Sequence, residues 1–334
     1  MIESVFQAAP LDNLTHSLTG LALSRAGLNR LTPRGTAVLI VASNIPDIDV
    51  LTSAWGPLAY LNYHRHLTHS LFMAPLMALL PPLLVRLAAG KGIRWRMAYL
   101  LSLAGLASHL ALDFTNVYGV RLLLPFSGRW LRLDITSVVD PWIWCVLLLA
   151  LIAPARRRVV GSETGATGRH PGRMAARLAL VFLLVYDCAR AVIHERALSI
   201  LDSRIYTGSP PRRLAAFPMA FNPFAWQGLV EGDSSYQLFN INVRKPFDPA
   251  NGRMFYTPED SEAICSARQT KTFQDFLAFS QFPVWTITPV SEPSNGLRIQ
   301  LSDLRFGVPP NGGFTATAIV DGEKRVLRSW FEFL

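Results

Sequence analysis

The sequence predicts an α-helical integral membrane domain with several transmembrane helices, followed by an extracytoplasmic β-rich (α+β) domain. Half of the 334 residues are hydrophobic and only 16% are charged, and the mean hydropathy is +0.26, a balance typical of membrane proteins. Long apolar runs occupy the first two thirds of the chain, whereas shorter alternating stretches follow residue 195. We therefore expect three parts: a helical domain (1–155), a basic linker with the last transmembrane helix (156–194) and the β-rich domain (195–334).

The chain is expected to begin with a helix from about residue 13 to Leu28, because its apolar residues recur at helical spacing. No cleavable signal peptide is predicted in the first ten residues, which lack a basic start and an apolar segment. The next apolar run continues to Pro46. A proline in a helix interior removes a hydrogen bond, so the helix should open there and expose Asp47 and Asp49.

Four apolar runs of about 17–23 residues follow, long enough for a bilayer core of roughly 30 Å. Pro81 and Pro82 are expected to kink or break the first run. Arginines concentrate in two turns, 86–96 and 156–177, and the positive-inside rule makes both turns cytoplasmic. The predicted spans are 67–89, 95–114, 138–153 and 174–193.

The C-terminal part shows the alternation of apolar and polar residues that is typical of strands separated by turns. Residues 258–280 are predicted to form one helical insertion among these strands. The clearest predicted strands are 236–243, 284–288, 297–301 and 314–320.

The net charge of +9 could indicate nucleic-acid binding, but the arginines lie between the apolar runs. We interpret them as a topology signal, so the expected partner is the lipid bilayer and no nucleic acid is expected. The three cysteines, Cys145, Cys188 and Cys265, provide neither a disulfide framework nor a CxxC metal site. The sequence leaves the oligomeric state open.

Three histidines, His64, His66 and His69, immediately precede the long apolar run that begins at Leu71. Imidazole binds metals and can transfer protons near neutral pH. Polar groups at the mouth of a membrane span suggest function, because they are costly there. The predicted topology brings further candidate groups to the same outer face: His16, Asp47, Asp49, His109, Asp113, Asp134 and Asp140.

Each candidate group also has a simpler interpretation. His109 and Asp113 are four residues apart on one helical face, so they could bind an ion or form a buried hydrogen-bonded pair. Asp47 and Asp49 could instead cap a helix or form a calcium-like turn. His64 and His69 could belong to a polar belt at the membrane interface, and His170 and His194 are expected to have no special role.

The motifs around these residues resemble the bacterial inner-membrane family of membrane-bound metal-dependent hydrolases, which includes LexA-regulated members. That family is similar in motif order to zinc-dependent phospholipases C and fungal zinc nucleases. His66 departs from the pattern, since the family often has glycine there. The resemblance covers about residues 12–155 and is carried by Leu14-Thr15-His16, Pro46-Asp47-Ile48-Asp49, His64 to Ser70, and Ser108 to Asp113 with Thr115, Tyr118 and Gly119.

The resemblance implies a phospholipase C-like metal site that hydrolyses a phosphoester in or near the bacterial inner membrane. The metal would be zinc, with manganese or magnesium as alternatives. Asp49, His64 and Arg65 would complete the catalytic set, and Arg65, Arg121 or Arg129 could clamp a phosphate through paired hydrogen bonds. The implied metal ligands are His16, Asp47, His69, His109 and Asp113.

Two other classes of function stay open at this point. The chain could be a non-catalytic metal-binding sensor or assembly protein whose β-rich domain binds a partner. It could also be a transporter that uses carboxylates as an ion path, which requires polar groups at mid-membrane depth. Only Asp187 and Arg190, three residues apart on one helical face and able to pair, meet that requirement.

Overall fold

A computed structural model describes residues 12–333, except 91, 165–170, 207, 209, 257, 259–260 and 311. His170 and the first ten residues, for which no signal peptide is predicted, lie outside this part of the chain. The contacts divide the protein into two compact units. One, the N-terminal unit, consists of Ala9–Asp49 and Arg65–Val192, and the other, the C-terminal unit, consists of Val50–His64 and Ile193–Leu334.

The first two thirds of the chain are helical, as predicted. Short 3-10 helices, including Ile45–Trp55 and Leu67–His69, connect the α-helices. The α-helices are α1 (Asp12–Arg25), α2 (Gly35–Ala42), α3 (Pro57–Tyr63), α4 (Ala74–Met77), α5 (Leu80–Ala89), α6 (Trp95–Thr115), α7 (Pro141–Thr164) and α8 (Pro171–Asp202).

Helix α6 is long and apolar enough to cross a membrane. In the described part of the chain there are up to three such spans, if each of two bent helix pairs counts as one. The apolar part of α7, Pro141–Ala153, is shorter. The predicted run 174–193 lies within α8, which is not among these candidate spans.

The predicted span over residues 67–89 belongs to a bent helix pair that can count as one broken span. The segment contains the 3-10 helix Leu67–His69 and two separate helices, α4 and α5. Pro81 and Pro82 fall in the first turn of α5, where a missing backbone N–H leaves no bond unmade. As predicted, the helix does not continue through Pro46, because α2 ends at Ala42 and the 3-10 helix Ile45–Trp55 follows it. The predicted exposure of Asp47 and Asp49 is wrong, since both side chains are buried.

Glycines allow α1 and α6 to pack tightly against α2. A Cβ atom on Gly105 of α6 would lie 2.8 Å from the Cβ of Ala42, and one on Gly20 of α1 would lie 2.7 Å from Oγ of Ser43. A side chain at either position would force neighbouring atoms to shift, so glycine allows the closest approach here. This close packing brings α1, α6 and the segment after α2 together.

The C-terminal unit contains two antiparallel four-stranded sheets, each with its strands in sequential order. The first sheet is β1 (Arg213–Pro218), β2 (Ala225–Glu231), β3 (Ser235–Asn242) and β4 (Arg253–Tyr256). The second is β5 (Pro283–Val290), β6 (Gly296–Asp303), β7 (Phe314–Val320) and β8 (Val326–Phe333). The four predicted strands are confirmed as β3, β5, β6 and β7.

The predicted helical insertion between the sheets consists of two helices, α9 (Glu262–Arg268) and α10 (Lys271–Phe279). Ser261 and Thr270 begin them, each accepting a hydrogen bond from a backbone N–H in the first turn. Phenylalanines at helical spacing on α10 then enter the core, where Phe273 stacks on Trp285 of β5. The caps explain why one predicted helix is interrupted.

A buried ion pair between Arg305 and Asp303 lies at the end of β6 in the second sheet. The Asp303 carboxylate accepts hydrogen bonds from the backbone N–H groups of Gln281 (2.9 Å) and Arg305 (3.0 Å). Nε and Nη2 of Arg305 donate to it at 3.0 and 2.8 Å. Burial opposes its negative charge, but Arg305 and these hydrogen bonds hold the pKa of Asp303 below its usual range.

Candidate metal centre

Five of the predicted ligands come together inside the N-terminal unit. Helix α1 provides His16, and the 3-10 helix after α2 provides Asp47. His69 ends the short 3-10 helix Leu67–His69, and α6 carries both His109 and Asp113 one turn apart. The side chains of His69, His109 and Asp113 are fully buried. We call these five side chains the His/Asp cluster.

Two imidazole rings in the cluster have a defined orientation. Nδ1 of His109 lies 2.9 Å from the backbone oxygen of Ser43, which can only accept, so this nitrogen carries the proton. The Nε2 atom of His109 therefore presents its lone pair to the cluster. It faces Nε2 of His69 at only 3.1 Å.

The ring of His69 is oriented in the same way by a carboxylate. Its Nδ1 lies 3.2 Å from Oδ2 of Asp49 and 3.0 Å from Oγ1 of Thr68. The same Asp49 oxygen accepts hydrogen bonds from the Thr68 hydroxyl and from the backbone N–H of Arg65, both at 2.9 Å. With the proton at Nδ1, the neutral ring could bind a metal through Nε2, as in metal sites where a carboxylate positions a ligating histidine.

Carboxylate oxygens surround the two Nε2 atoms. Oδ2 of Asp113 lies 3.3 Å from Nε2 of His69 and 3.3 Å from Nε2 of His109. Oδ1 of Asp47 lies 3.3 Å from the first nitrogen and 3.7 Å from the second. Imidazole nitrogens and carboxylate oxygens therefore converge here, and these are atoms that can bind a divalent cation.

His16 extends the cluster on the other side of Asp113. Its ring stacks on His109 with 3.8 Å between centroids, and its Nε2 lies 3.5 Å from Oδ1 of Asp113. Two sets of three, His16 with His109 and Asp113, and Asp47 with His69 and His109, each place their ligand atoms within 4.8 Å of one another. Nitrogen and oxygen donors at this spacing could hold a divalent ion.

Arg65 occupies a different position from that expected of a phosphate clamp. Its Nη2 lies 2.8 Å from Oδ1 of Asp113, and its Nη1 donates to Asn116 Oδ1 (3.1 Å) and to the backbone oxygen of Gly119 (3.2 Å). The guanidinium also lies over the ring of Tyr118. Arg65 thus ties the loop after α6 to the cluster, and its role toward a phosphate stays a prediction.

The remaining candidate residues have other partners. His64 belongs to the C-terminal unit, where its ring stacks on Tyr60 at 4.5 Å, and its catalytic role stays a prediction. Asp134 pairs with Arg132. Asp140 caps α7 and accepts a hydrogen bond from the Tyr186 hydroxyl. Arg121 lies over the ring of Trp130.

Sequence reasoning missed three groups that orient the cluster: the Thr68 hydroxyl, the Ser43 carbonyl and the Asn116 amide. Thr68 had a local signal, since it lies beside His69 in the histidine-rich segment. The Ser43 carbonyl and Asn116 had none, because their partners, His109 and Arg65, are distant in sequence.

The helical region has candidate membrane spans and a buried cluster that could hold a metal ion. These are features of a membrane protein with a possible metal site. The chain belongs to the YdjM inner membrane protein family, whose profile matches residues 11–197. Residues 262–334 match the YfhP C-terminal alpha/beta plait domain, which corresponds to α9, α10 and the second sheet.

The uncharacterized protein YfhP of Bacillus subtilis (strain 168) is 28% identical to this chain over 151 residues. The alignment covers 42% of this chain and 45% of YfhP, so the chain spans less than half of that relative's length. No solved structure is significantly similar to the chain. The resemblance to phospholipases C and zinc nucleases stays a prediction.

Proposed function

We propose that this protein is a membrane-bound, metal-dependent hydrolase that acts on a phosphoester in or near the membrane. The observation that supports it best is the convergence of the Nε2 atoms of His69 and His109, 3.1 Å apart, with the carboxylates of Asp47 and Asp113. A divalent ion held there would lower the pKa of a bound water and stabilise the oxygens of a phosphoryl group during displacement.

In this proposal each residue of the site has a defined task. The five side chains of the His/Asp cluster hold the metal, and Asp49 orients His69 through Nδ1. Zinc suits this mixed nitrogen and oxygen donor set, with manganese or magnesium as alternatives. Asp47 is the most exposed of the five, at 9%, so a substrate would approach from its side.

The position of the cluster on α6 supports a substrate at the membrane. His109 and Asp113 lie in the last two turns of α6, the helix best suited to cross a bilayer. We propose that this end and the C-terminal domain face the extracytoplasmic side of the inner membrane, because arginine-rich turns are expected to be cytoplasmic. A phosphoester at headgroup level would therefore be within reach.

Metal content and turnover of the detergent-purified protein test this function. His109→Ala should lose bound zinc or manganese and reduce phosphodiester hydrolysis about a thousandfold or more, because the activated water and the charge stabilisation depend on the ion. His194→Ala is the matched control, since His194 contacts the Ala216 carbonyl in the C-terminal unit. Wild-type hydrolysis that persists in chelator would contradict the proposal.

The burial of the cluster favours a second candidate function, a non-catalytic metal-binding sensor or assembly protein. His69, His109 and Asp113 are each 0% exposed, and structural metal sites are closed, whereas catalytic sites keep an open position. Stoichiometric metal in the wild type, lower thermal stability after chelation, and no turnover on phospholipid or phosphodiester substrates would favour this candidate.

A further inference from the structure

A basic cavity lies in the N-terminal unit, where the end of α1 meets the beginning of α8. Its volume is about 440 Å³. Arg30, Arg173 and Arg177 line it together with leucines that include Leu28 and Leu180. The cavity therefore combines positive charge with an apolar wall, and it shares no residue with the His/Asp cluster.

Two of the arginines converge on one point of the cavity. A Cβ atom on Gly27 would lie 3.7 Å from Nε of Arg173 and 3.8 Å from Nη2 of Arg177. Gly27 has a φ of 127°, which favours glycine. Nε of Arg177 donates to the backbone oxygen of Ala26 at 3.0 Å, and this bond fixes its guanidinium beside the cavity.

The cavity differs from the surroundings of other arginines in the same unit. Arg65 pairs with Asp113, and Arg132 pairs with Asp134. No carboxylate is among the described residues that line the cavity. Two like charges directed at one point repel each other, and an anion between them would attract both and offset that repulsion.

We propose that this cavity binds the phosphate headgroup of an anionic phospholipid, with an acyl chain along Leu28 and Leu180. Guanidinium groups bind phosphate through paired, charge-assisted hydrogen bonds. The leucines provide the apolar contact that a free phosphate would not use. Basic cavities between the helices of membrane proteins, on the side where Lys and Arg collect, suit such headgroups.

Native mass spectrometry of the full-length protein, with phosphatidylglycerol or phosphatidylcholine added to the detergent, tests the site. The wild type should retain phosphatidylglycerol about tenfold more strongly than phosphatidylcholine, and Arg173→Gln with Arg177→Gln should remove this preference. Arg94→Gln with Arg96→Gln is the matched control, because it removes two exposed arginines from the other basic turn. This control should retain the preference.

Arg173→Gln alone serves as a second variant, since Arg177 also bonds to the end of α1, and it should weaken phosphatidylglycerol retention by several-fold. Three results would overturn the proposal: equal retention of both lipids by the wild type, an unchanged preference in the double variant, or displacement of phosphatidylglycerol by millimolar inorganic phosphate. The last result would assign the cavity to a soluble anion.

Discussion

Two buried arginine–aspartate pairs, one in each compact unit, show how the same residue types serve different purposes. Arg305 and Asp303 are two residues apart, and hydrogen bonds from Gln281 and Arg305 satisfy the carboxylate. Arg65 and Asp113 come from distant segments, and Asp113 also faces the imidazoles of His16, His69 and His109. The first pair is complete by itself, whereas the second belongs to a larger group of converging donor atoms.

The geometry of the hydrogen bonds makes the same distinction. The carboxylate of Asp303 receives well-aligned N–H groups from the backbone and from Nε and Nη2 of Arg305. Neither oxygen of Asp113 receives a hydrogen bond of good geometry, although Arg65 Nη2 lies 2.8 Å away. Buried polar atoms left in this state call for an explanation, and a cation bound within the cluster would provide one.

The largest expected difference between the two pairs is in metal content. Asp113→Asn should reduce bound metal and lower phosphodiester turnover about a thousandfold, because one cluster carboxylate loses its charge. Asp303→Asn should leave the metal content unchanged and instead destabilise the C-terminal unit by about 3 kcal/mol, since Arg305 loses its buried partner.

Elemental analysis measures the first effect, and urea unfolding followed by near-UV circular dichroism measures the second. Asp321→Asn is the control for unfolding, because Asp321 pairs with Arg325 at an exposed turn. If Asp113→Asn and Asp303→Asn lost the same amount of metal, the distinction between the two pairs would fail.

A smaller expected effect is a loss of stability of the C-terminal unit in acid. The pKa of Asp303 is held below its usual range in the folded protein. Its stabilisation is therefore complete above the unfolded value of about 3.9 and is lost as the pH falls through the lower folded value. The free energy of unfolding of the C-terminal unit, measured in urea, should therefore fall over this acidic range in the wild type. It should depend less on pH in Asp303→Asn. Equal pH dependence in both proteins would contradict this assignment.

The smallest predicted effect concerns the orientation of His69. Thr68→Val removes the hydroxyl that donates to Asp49 and lies 3.0 Å from Nδ1 of His69, so metal affinity should fall by about tenfold or less. Ser108→Ala removes a hydroxyl next to His109 that donates to the Gly105 backbone oxygen in its own helix, and it should leave the affinity unchanged. A competition titration with a chromophoric chelator distinguishes these outcomes.

The sequence predicted the classes of structure better than their details. Apolar runs indicated helices, and alternation indicated β3, β5, β6 and β7. Strands β1 and β2 were not predicted individually, because alanine, glycine and proline interrupt their apolar pattern. The sequence predicted that Pro81 and Pro82 would interrupt a helix within 67–89, whereas in the structure both lie in the first turn of α5.

The candidate site was predicted to the extent that local spacing defines it. The i, i+4 spacing of His109 and Asp113 and the density of histidines before Leu71 pointed to side chains that the structure brings together with His16 and Asp47. The contact between Arg65 and Asp113 joins segments far apart in the chain. Local pattern carries no information about such a contact, because tertiary packing decides it.

Gly105 has a consequence for any attempt to rebuild this cluster in another protein. It lies one turn before His109 on α6 and lets that helix approach Ala42, next to the Ser43 carbonyl that orients the imidazole. A transplanted set of ligands would need the same glycine crossing, since a wider separation of the helices would move the carbonyl out of hydrogen-bonding range. The portable unit is therefore the helix crossing together with the ligands.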